Sequence, residues 1–260
     1  MRDTIISDHP NNTADFIKGA LKIIEAGRAR KVELRLLGAT AIYLHSPNSA
    51  HIHEGMKRPI SDLDFATTSK YLRHIPDIFT GLGFGQNEQV NVLHGLQRQV
   101  YFQPETGRKV DVFIDKLSFC HVIDLTQRLE IDYPTITLAD LLLEKMQIVK
   151  MDEKDVKDTT ILLREHGVGD HDKETVNAEY VAKVLAKDWG FYHTVTINLN
   201  RVKDYSKTLQ GLSASDVETV AHRVDALLES IDKQEKSFGW KMRAKVGTSV
   251  KWYQDVDELE

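Results

Sequence analysis

The stretch RPISDLDFAT (58–67) places two aspartates one residue apart within an apolar run. Because the side chains of a strand alternate between its faces, Asp62 and Asp64 share one face, and the apolar Leu63 lies on the other. Two like charges on one face, about 6–7 Å apart along the strand, repel each other unless water or a cation lies between them. The stretch therefore predicts a half-buried strand whose acidic face is either a solvated surface or a site for a divalent cation.

A third aspartate, Asp111, lies inside the strongly β-forming run KVDVFID (109–115). Aspartate is disfavoured within strands, and its carboxylate must there be paired, coordinated or solvated. If this strand lies beside the first, the three aspartates converge on one patch. Three carboxylates suit a hard cation such as Mg²⁺, which takes oxygen ligands and bridges to phosphates. We therefore expect Asp62, Asp64 and Asp111 to form a metal site rather than to be structural acids.

The segment VELRLLGATAIYL (32–44) predicts a strand that ends at Gly38 and a short helix that follows it. Small residues at the start of a helix let its backbone amides approach an anion closely. We therefore expect Gly38, Ala39 and Thr40 to bind phosphate groups next to the metal site.

The composition is that of a globular protein, with 260 residues, of which 41% are hydrophobic and 28% charged. A net charge of −5 gives no overall attraction to nucleic acid or to an anionic membrane. The one cysteine, Cys120, excludes an intrachain disulfide, and its apolar flanks predict a buried, inert thiol. The sequence shows neither a signal-peptide core nor an apolar stretch of membrane-spanning length, so a cytoplasmic location without a membrane partner is expected.

The patterns along the chain predict an α+β fold, with a mixed sheet and flanking helices in the N-terminal half and an all-helical C-terminal half. The polar, glycine-containing segment REHGVGDHDKE (164–174) predicts a boundary between domains 1–165 and 166–260. The expected elements are a first helix from Asn12 or Thr13 to Gly27, helices over 70–82, 138–149 and 216–231, and a hairpin of LQRQVYF (96–102) and RKVDVFID (108–115).

These motifs together resemble the nucleotidyltransferase superfamily typified by DNA polymerase beta, and within it the AbiEii-like abortive-infection toxins and their relatives. The superfamily pattern is an apolar strand followed by Gly-Gly or Gly-Ser, then a strand with Asp-x-Asp, then a third Asp on a later strand. The similar segments here are LRLLGATAIYL (34–44), RPISDLDFAT (58–67) and RKVDVFID (108–115). The resemblance covers about residues 30–165.

A fourth motif of the AbiEii-like proteins is a lysine-bearing helix followed by Lys-Asp-x-x-Asp. It is similar to LADLLLEKMQIVKMDEKDVKD (138–158), which contains Lys145, Lys154, Asp155 and Asp158. Helical spacing independently places Lys145 on an apolar stripe, where a lysine either extends its amine to solvent or meets a negative partner. We favour a phosphate or carboxylate partner for Lys145, and Asp155 and Asp158 are candidates to orient it.

The resemblance implies Mg²⁺-dependent transfer of NMP from an NTP to a hydroxyl acceptor, which is an RNA such as tRNA, a protein or a small molecule. The implied catalytic and metal-binding residues are Asp62, Asp64 and Asp111, with Asp111 accepting the proton of the acceptor. The implied nucleotide-binding residues are Gly38, Ala39, Thr40, Lys145 and Asp158. Arg58 adds positive charge near the site or is an exposed surface residue.

One position departs from the family pattern, because Ala39 stands where Gly or Ser is usual. Alanine lacks the hydroxyl of serine and the conformational freedom of glycine, so phosphate binding is expected to be weaker or differently arranged. Two alternatives to an active enzyme stay open. One is a catalytically silent nucleotide-binding module in regulation or in a toxin–antitoxin pair, and the other is a structural protein with an acidic patch.

Two weaker patterns complete the sequence. His45, His51 and His53 have a spacing that could ligate zinc, but no cysteine or fourth ligand is nearby, so a polar loop is expected. WKMRAKVGTSVKWYQ (240–254) interleaves basic and aromatic residues, which is typical of single-stranded RNA binding and also of a terminal helix with packed aromatic side chains. We favour the terminal helix.

Overall fold

A computed structural model of the protein describes residues 13–256. Its helices are α1 (Thr13–Ala29), α2 (Gly38–His45), α3 (Ala50–Gly55), α4 (Ile75–Gly81), α5 (Glu88–His94), α6 (Leu138–Met146), α7 (Glu153–Glu165), α8 (Ala178–Leu185), α9 (Trp189–Ser206), α10 (Ala214–Lys233) and α11 (Phe238–Val246). Its strands are β1 (Arg35–Leu37), β2 (Asp62–Thr67), β3 (Gly85–Gln86), β4 (Arg98–Phe102), β5 (Lys109–Ile114), β6 (Lys116–Ser118), β7 (Val122–Asp124), β8 (Gly167–Gly169) and β9 (Thr175–Asn177). Within this part of the chain, none of the helices has both the length and the apolar character that crossing a bilayer requires.

The central element is a five-stranded mixed sheet with the order β1-β2-β5-β4-β3. Strands β2 and β5 run parallel, while the other neighbouring pairs are antiparallel. The parallel register places Asp64 opposite Asp111, and the antiparallel register with β1 places Leu37 opposite Asp64. The expected mixed sheet, the β4–β5 hairpin and the adjacency of the two aspartate strands are therefore confirmed.

Helix α1 is described from Thr13, one of the two predicted starts, while the other, Asn12, lies outside the described residues. The prediction that Gly27 ends this helix is wrong. The helix continues to Ala29, and Gly27 is buried within its last turns. A β-carbon at Gly27 would lie 3.4 Å from the Cβ atom of Leu34, so the glycine allows close packing between the helix and the following segment.

Two segments next to the sheet differ from their predictions. The region predicted as one helix over 70–82 forms a 3₁₀ helix (Ser69–His74) followed by α4, and Pro76 lies in the first turn of α4, where its missing N–H costs no hydrogen bond. The segment predicted as a polar loop before β2 folds into a 3₁₀ helix (Pro47–Ser49) and α3, whose residue His53 is buried.

The C-terminal half is dominated by helices, with α10 close to its predicted bounds. The prediction that it is all-helical is wrong, because β8 and β9 form a small parallel pair. Helix α7 packs against α9 and α10, and one buried apolar cluster extends from Phe16 to Ile231. The hydrophobic core therefore continues across residue 165, and the division into two domains stays a prediction.

Candidate functional site

The predicted acids meet on one face of the central sheet. The parallel register sets the side chain of Asp64 beside that of Asp111, and Asp62 lies two residues earlier on the same face of β2. Burial raises the pKa of Asp64 well above its usual value, and repulsion from Asp62, Asp111 and Glu144 raises it further. Within residues 13–256, the carboxylate of Asp64 has neither a hydrogen bond nor an ion-pair partner. Asp64 is thus a half-buried carboxylate that is surrounded by other acids.

Gly38 allows Asp64 to come this close to the start of α2. Its backbone has a φ of +73°, which side chains larger than hydrogen disfavour. A β-carbon at Gly38 would lie 2.6 Å from Oδ2 of Asp64, well inside van der Waals contact. The glycine is therefore required both by its own conformation and by the neighbouring carboxylate.

A fourth acid, Glu144, joins this cluster, and the sequence did not reveal it. The backbone N–H of Gly38 donates to Oε2 of Glu144 over 3.0 Å, and the side chain is buried. Burial raises the pKa of Glu144 to about 7, although Lys145 and the Gly38 hydrogen bond act in the opposite direction. The amide that was expected to bind phosphate is thus bound by a carboxylate in this structure.

The other residues of the expected phosphate site are also enclosed. Thr40 is buried, and its hydroxyl has no hydrogen-bond partner among the described residues. Ala39 is only 7% exposed. Phosphate contact by these residues stays a prediction, and it would require the start of α2 to open.

Asp111 differs from Asp64 because two cations neutralise it. Nε of Arg98 donates to Oδ1 of Asp111 over 2.8 Å, and Nζ of Lys109 lies 3.5 Å from Oδ2. Arg98 comes from the neighbouring strand β4, and its guanidinium also lies 5.4 Å from the ring centre of Phe113. The sequence predicted that Asp111 is paired, coordinated or solvated and favoured a metal ion, but it did not identify Arg98 and Lys109 as its partners. A motif that names only the acids gives no signal for them.

The three aspartates do not form a closed metal cage in this structure. A group of three His, Cys, Asp or Glu residues could hold a metal ion if its ligand atoms all lay within 4.8 Å of one another. In the described part of the chain, only His45, His166 and Glu174 meet this condition. A cation held by Asp62, Asp64 and Asp111 together would therefore draw their carboxylates closer.

Beside the acids lies a second, charge-balanced cluster. Nζ of Lys145 is 3.3 Å from Asp155 and 3.2 Å from Asp158, and Arg58 binds both oxygens of Asp158 at 2.9 and 2.8 Å. Burial alone would lower the pKa of Lys145, but Asp158, Glu144 and Asp155 outweigh it and raise that pKa. The prediction that Lys145 meets a negative partner is confirmed. Arg58 is not a surface residue, since its side chain is only 7% exposed.

Helix starts and ends position this second cluster. The hydroxyl of Thr137 caps α6 by accepting the amide of Asp140, and every residue of α6 is buried. The prediction that this helix continues through 148–149 is wrong, because it ends at Met146. The carboxylate of Asp152 then caps α7 by accepting the amide of Asp155, which directs the first turn of α7 towards Lys145.

Two cavities lie beside the acid cluster. One of about 280 Å³ is lined by Glu144, Lys145, Lys150 and Asp155 among others. The other, of about 580 Å³, is lined by residues that include Arg98 and Phe113, on the Asp111 side of the sheet. Phe119 lines both cavities. Glu144, Lys145, Asp155 and Arg98 are therefore accessible from concave surfaces, whereas Asp62, Asp64 and Asp111 line neither cavity.

The weaker patterns have mixed outcomes. Cys120 is buried and free, as predicted. His53 stacks on Tyr43 with ring centres 3.2 Å apart, and burial lowers the pKa of His53 to about 4. His45 lies beside His166, 121 residues away, and not in a group with its neighbours in sequence.

The C-terminal aromatic residues pack against α9. The ring of Trp240 lies 5.1 Å from that of Tyr192, and the ring of Trp252 lies 5.1 Å from that of His193. The favoured interpretation of 240–254 as a terminal helix is thus confirmed for α11. RNA binding by its exposed basic side chains stays untested.

A scan of protein-family models, a search of curated proteins and a search of solved structures each gave no match to this chain. The functional assignment therefore depends on the residues of the site and on their geometry.

Proposed function

We propose that this protein is a Mg²⁺-dependent nucleotidyltransferase, which moves NMP from an NTP to a hydroxyl acceptor. The observation that carries the proposal is the carboxylate of Asp64, which is half-buried, has no hydrogen-bond or ion-pair partner among residues 13–256 and lies opposite Asp111 in the parallel β2–β5 pair. Such a carboxylate is costly to bury unless a proton or a cation compensates it. The mixed α+β architecture is compatible with the nucleotidyltransferase fold, which is part of the proposal.

The donor set fits Mg²⁺. All four acids offer hard carboxylate oxygens, which are the ligands that Mg²⁺ prefers. The unpartnered Asp64 supplies an open ligand, whereas Asp111 reaches a cation only if it shares its oxygens with Arg98 and Lys109. When bound, Mg²⁺ would neutralise phosphate charge and lower the pKa of an attached hydroxyl.

The surrounding residues have distinct roles in this proposal. Asp62, Asp64 and Asp111 hold the cation, and Asp111 also accepts the proton of the acceptor hydroxyl. Arg98 fixes the orientation of the Asp111 carboxylate. In this proposal the phosphates occupy the cavity lined by Lys145, where its two lysines and the bound cation together would offset the phosphates and the acids of the lining.

The phosphate cavity also contains a second lysine, Lys150, which is exposed. The larger cavity, over Phe113 and Phe119, is the place for the acceptor. An RNA, a protein or a small molecule remain the candidate acceptors. The structure favours none of them.

A second candidate is a catalytically silent nucleotide-binding module, which acts in regulation or in a toxin–antitoxin pair. Two observations favour it. The Gly38 amide is taken by Glu144, and Asp111 is neutralised by Arg98 and Lys109. Both contacts occupy groups that an active site needs free. A protein that keeps both contacts would therefore bind a nucleotide without catalysing its transfer.

The experiment that tests these candidates is label transfer from each α-labelled NTP, with Mg²⁺, into total cellular RNA and into protein. Pyrophosphate release with candidate small molecules is followed in parallel. Wild type is compared with Asp64→Asn and Asp111→Asn. Asp77→Asn is the matched control, because Asp77 is an exposed acid on α4, outside the acid cluster.

Transfer by wild type and by Asp77→Asn, with loss in both cluster variants, supports the transferase. Mg²⁺-dependent nucleotide binding without transfer or pyrophosphate release supports the silent module instead. If the protein binds neither Mg²⁺ nor nucleotide, both candidates fail and the acids are structural.

A further inference from the structure

A second group of metal-ligating side chains lies away from the acid cluster, at the end of α2. It consists of His45 in the last turn of α2, His166 directly after α7, and Glu174 directly before β9. Nδ1 of His45 lies 4.0 Å from Oε1 of Glu174, and Nδ1 of His166 lies 3.9 Å from Oε2. The two imidazoles thus face the two oxygens of one carboxylate.

Hydrogen bonds on the far side of each ring fix which nitrogen carries the proton. Nε2 of His45 lies 2.6 Å from the hydroxyl oxygen of Thr135, and it donates to that oxygen when Thr135 donates its own proton to the carbonyl of Ile136, 2.8 Å away. Nε2 of His166 lies 2.9 Å from the backbone carbonyl of His45, which is also only an acceptor. Nε2 of His166 is therefore a donor, and with Thr135 donating to Ile136 so is Nε2 of His45, so that both neutral rings direct an unprotonated Nδ1 towards Glu174.

This arrangement brings two nitrogen lone pairs and a carboxylate together with no proton between them. The distances of 4.0 and 3.9 Å are too long for hydrogen bonds. Asp132 adds a further carboxylate, which interacts electrostatically with both His45 and Glu174. A cation at the centre would turn this repulsion into attraction, and a histidine held through its second nitrogen by a backbone carbonyl or hydroxyl is the usual arrangement of a metal ligand.

We propose that His45, His166 and Glu174 form a binding site for a divalent transition metal, with Zn²⁺ as the preferred ion. Two imidazoles and one carboxylate are a ligand set that Zn²⁺ accepts, with a fourth position left for water or another ligand. Glu174 is 66% exposed, so this open position faces solvent.

The geometry needs only a small adjustment to bind the ion. Zn–N and Zn–O bonds of about 2.0–2.2 Å put neighbouring ligand atoms about 3.3 Å apart in a tetrahedral site. The three ligand atoms lie within 4.8 Å of one another, so they have to approach by at most about 1.5 Å, and the exposed Glu174 side chain can make part of this movement. The bound ion would connect α2, the end of α7 and the segment between β8 and β9.

The test is a Zn²⁺ titration of tag-free, EDTA-treated full-length protein against a chromogenic chelator, with Co²⁺ absorption as a second readout. We expect one equivalent of Zn²⁺ per chain, and an affinity at least about 10-fold lower in Glu174→Gln and in His166→Gln. His171→Gln is the matched control, because His171 is an exposed histidine of the same segment. The affinity of this variant for Zn²⁺ should equal that of wild type.

Three results would overturn the site. These are no stoichiometric Zn²⁺ binding by wild type, equal binding by wild type and Glu174→Gln, or loss of binding in Asp64→Asn, which would place the ion in the acid cluster. Circular dichroism establishes that each variant is folded. If His166→Gln fails to fold because His166 is buried, Glu174→Gln decides alone, since its side chain is exposed.

Discussion

Replacing Glu144 with glutamine should remove a large part of the pH dependence of stability. The glutamine carbonyl oxygen can still accept the N–H of Gly38, so the hydrogen bond is retained while the ionisable group is lost. Burial raises the pKa of Glu144 from 4.5 to about 7. The fold therefore favours the protonated acid.

The direction and the magnitude of this pH dependence of stability follow from the difference in pKa between the folded and the unfolded protein. Between pH 4.5 and about 7, the folded protein holds a proton on Glu144 that the unfolded chain has released, so stability falls as the pH rises. At about 1.4 kcal/mol per pKa unit, the full loss is about 3.5 kcal/mol, of which about 2.5 kcal/mol falls between pH 5 and pH 8. Asp64 also has a raised pKa, which acts in the same direction, and it remains in the variant.

The assay is urea unfolding in EDTA at pH 5, 6, 7 and 8, for wild type, Glu144→Gln and the control Glu218→Gln. Glu218 is an exposed residue of α10, so its substitution should leave the pH dependence of wild type unchanged. The free energy of unfolding should fall over this range by about 2.5 kcal/mol less in Glu144→Gln than in wild type. Equal falls in the two proteins, within about 0.5 kcal/mol, would refute the assignment of a buried, protonated Glu144.

Two further substitutions test the packing around the acids, again by urea unfolding. Gly38→Ala should lower the free energy of unfolding by more than Gly83→Ala does. Both glycines have a positive φ, which costs an alanine about 1–2 kcal/mol, but only at Gly38 would the new β-carbon also meet Asp64. Equal losses would contradict the close approach. Asp158→Asn should cost about 3–5 kcal/mol because it leaves two buried cations short of negative charge. Asp204→Asn, in an exposed pair, should cost much less because solvent screens that pair.

Local patterns in the sequence predicted the acid strands well. Alternation along 62–67 and 109–114 identifies which side chains share a face, since the strand period is fixed by backbone geometry. That the two strands are neighbours did not follow from alternation and was supplied by the resemblance. The register in the structure confirms it by placing Asp64 opposite Asp111.

The partners of the acids could not be predicted in the same way. Glu144 meets Gly38 across 106 positions, and His45 meets His166 across 121. Periodicity shows which face of a helix is apolar, but α6 is buried on all sides, so even its polar positions are interior. A glutamate in such a helix must find a donor, and only the tertiary fold determines which one.

The two charged clusters should respond in opposite ways to the same kind of substitution. In the cluster around Lys145, two acids face two bases, so the charges balance. In the cluster around Asp64, four acids face Arg98 and Lys109, and Lys145 acts on them from the second cluster, so negative charge is in excess. Removing one carboxylate there relieves repulsion, so Asp64→Asn should be more stable than wild type in EDTA, whereas Asp158→Asn is less stable.

The effect of added Mg²⁺ on stability distinguishes a cation-binding site from a structural patch of acids. An ion that binds the folded protein alone stabilises it by about 2.7 kcal/mol at 100 times its dissociation constant. If Asp64 is a ligand, wild type gains this stability and Asp64→Asn does not. The difference in free energy of unfolding that favours Asp64→Asn in EDTA should therefore become smaller or change sign as Mg²⁺ is added. An unchanged difference at every Mg²⁺ concentration would mean that Asp64 holds no cation, and the excess charge would then be compensated by protons alone.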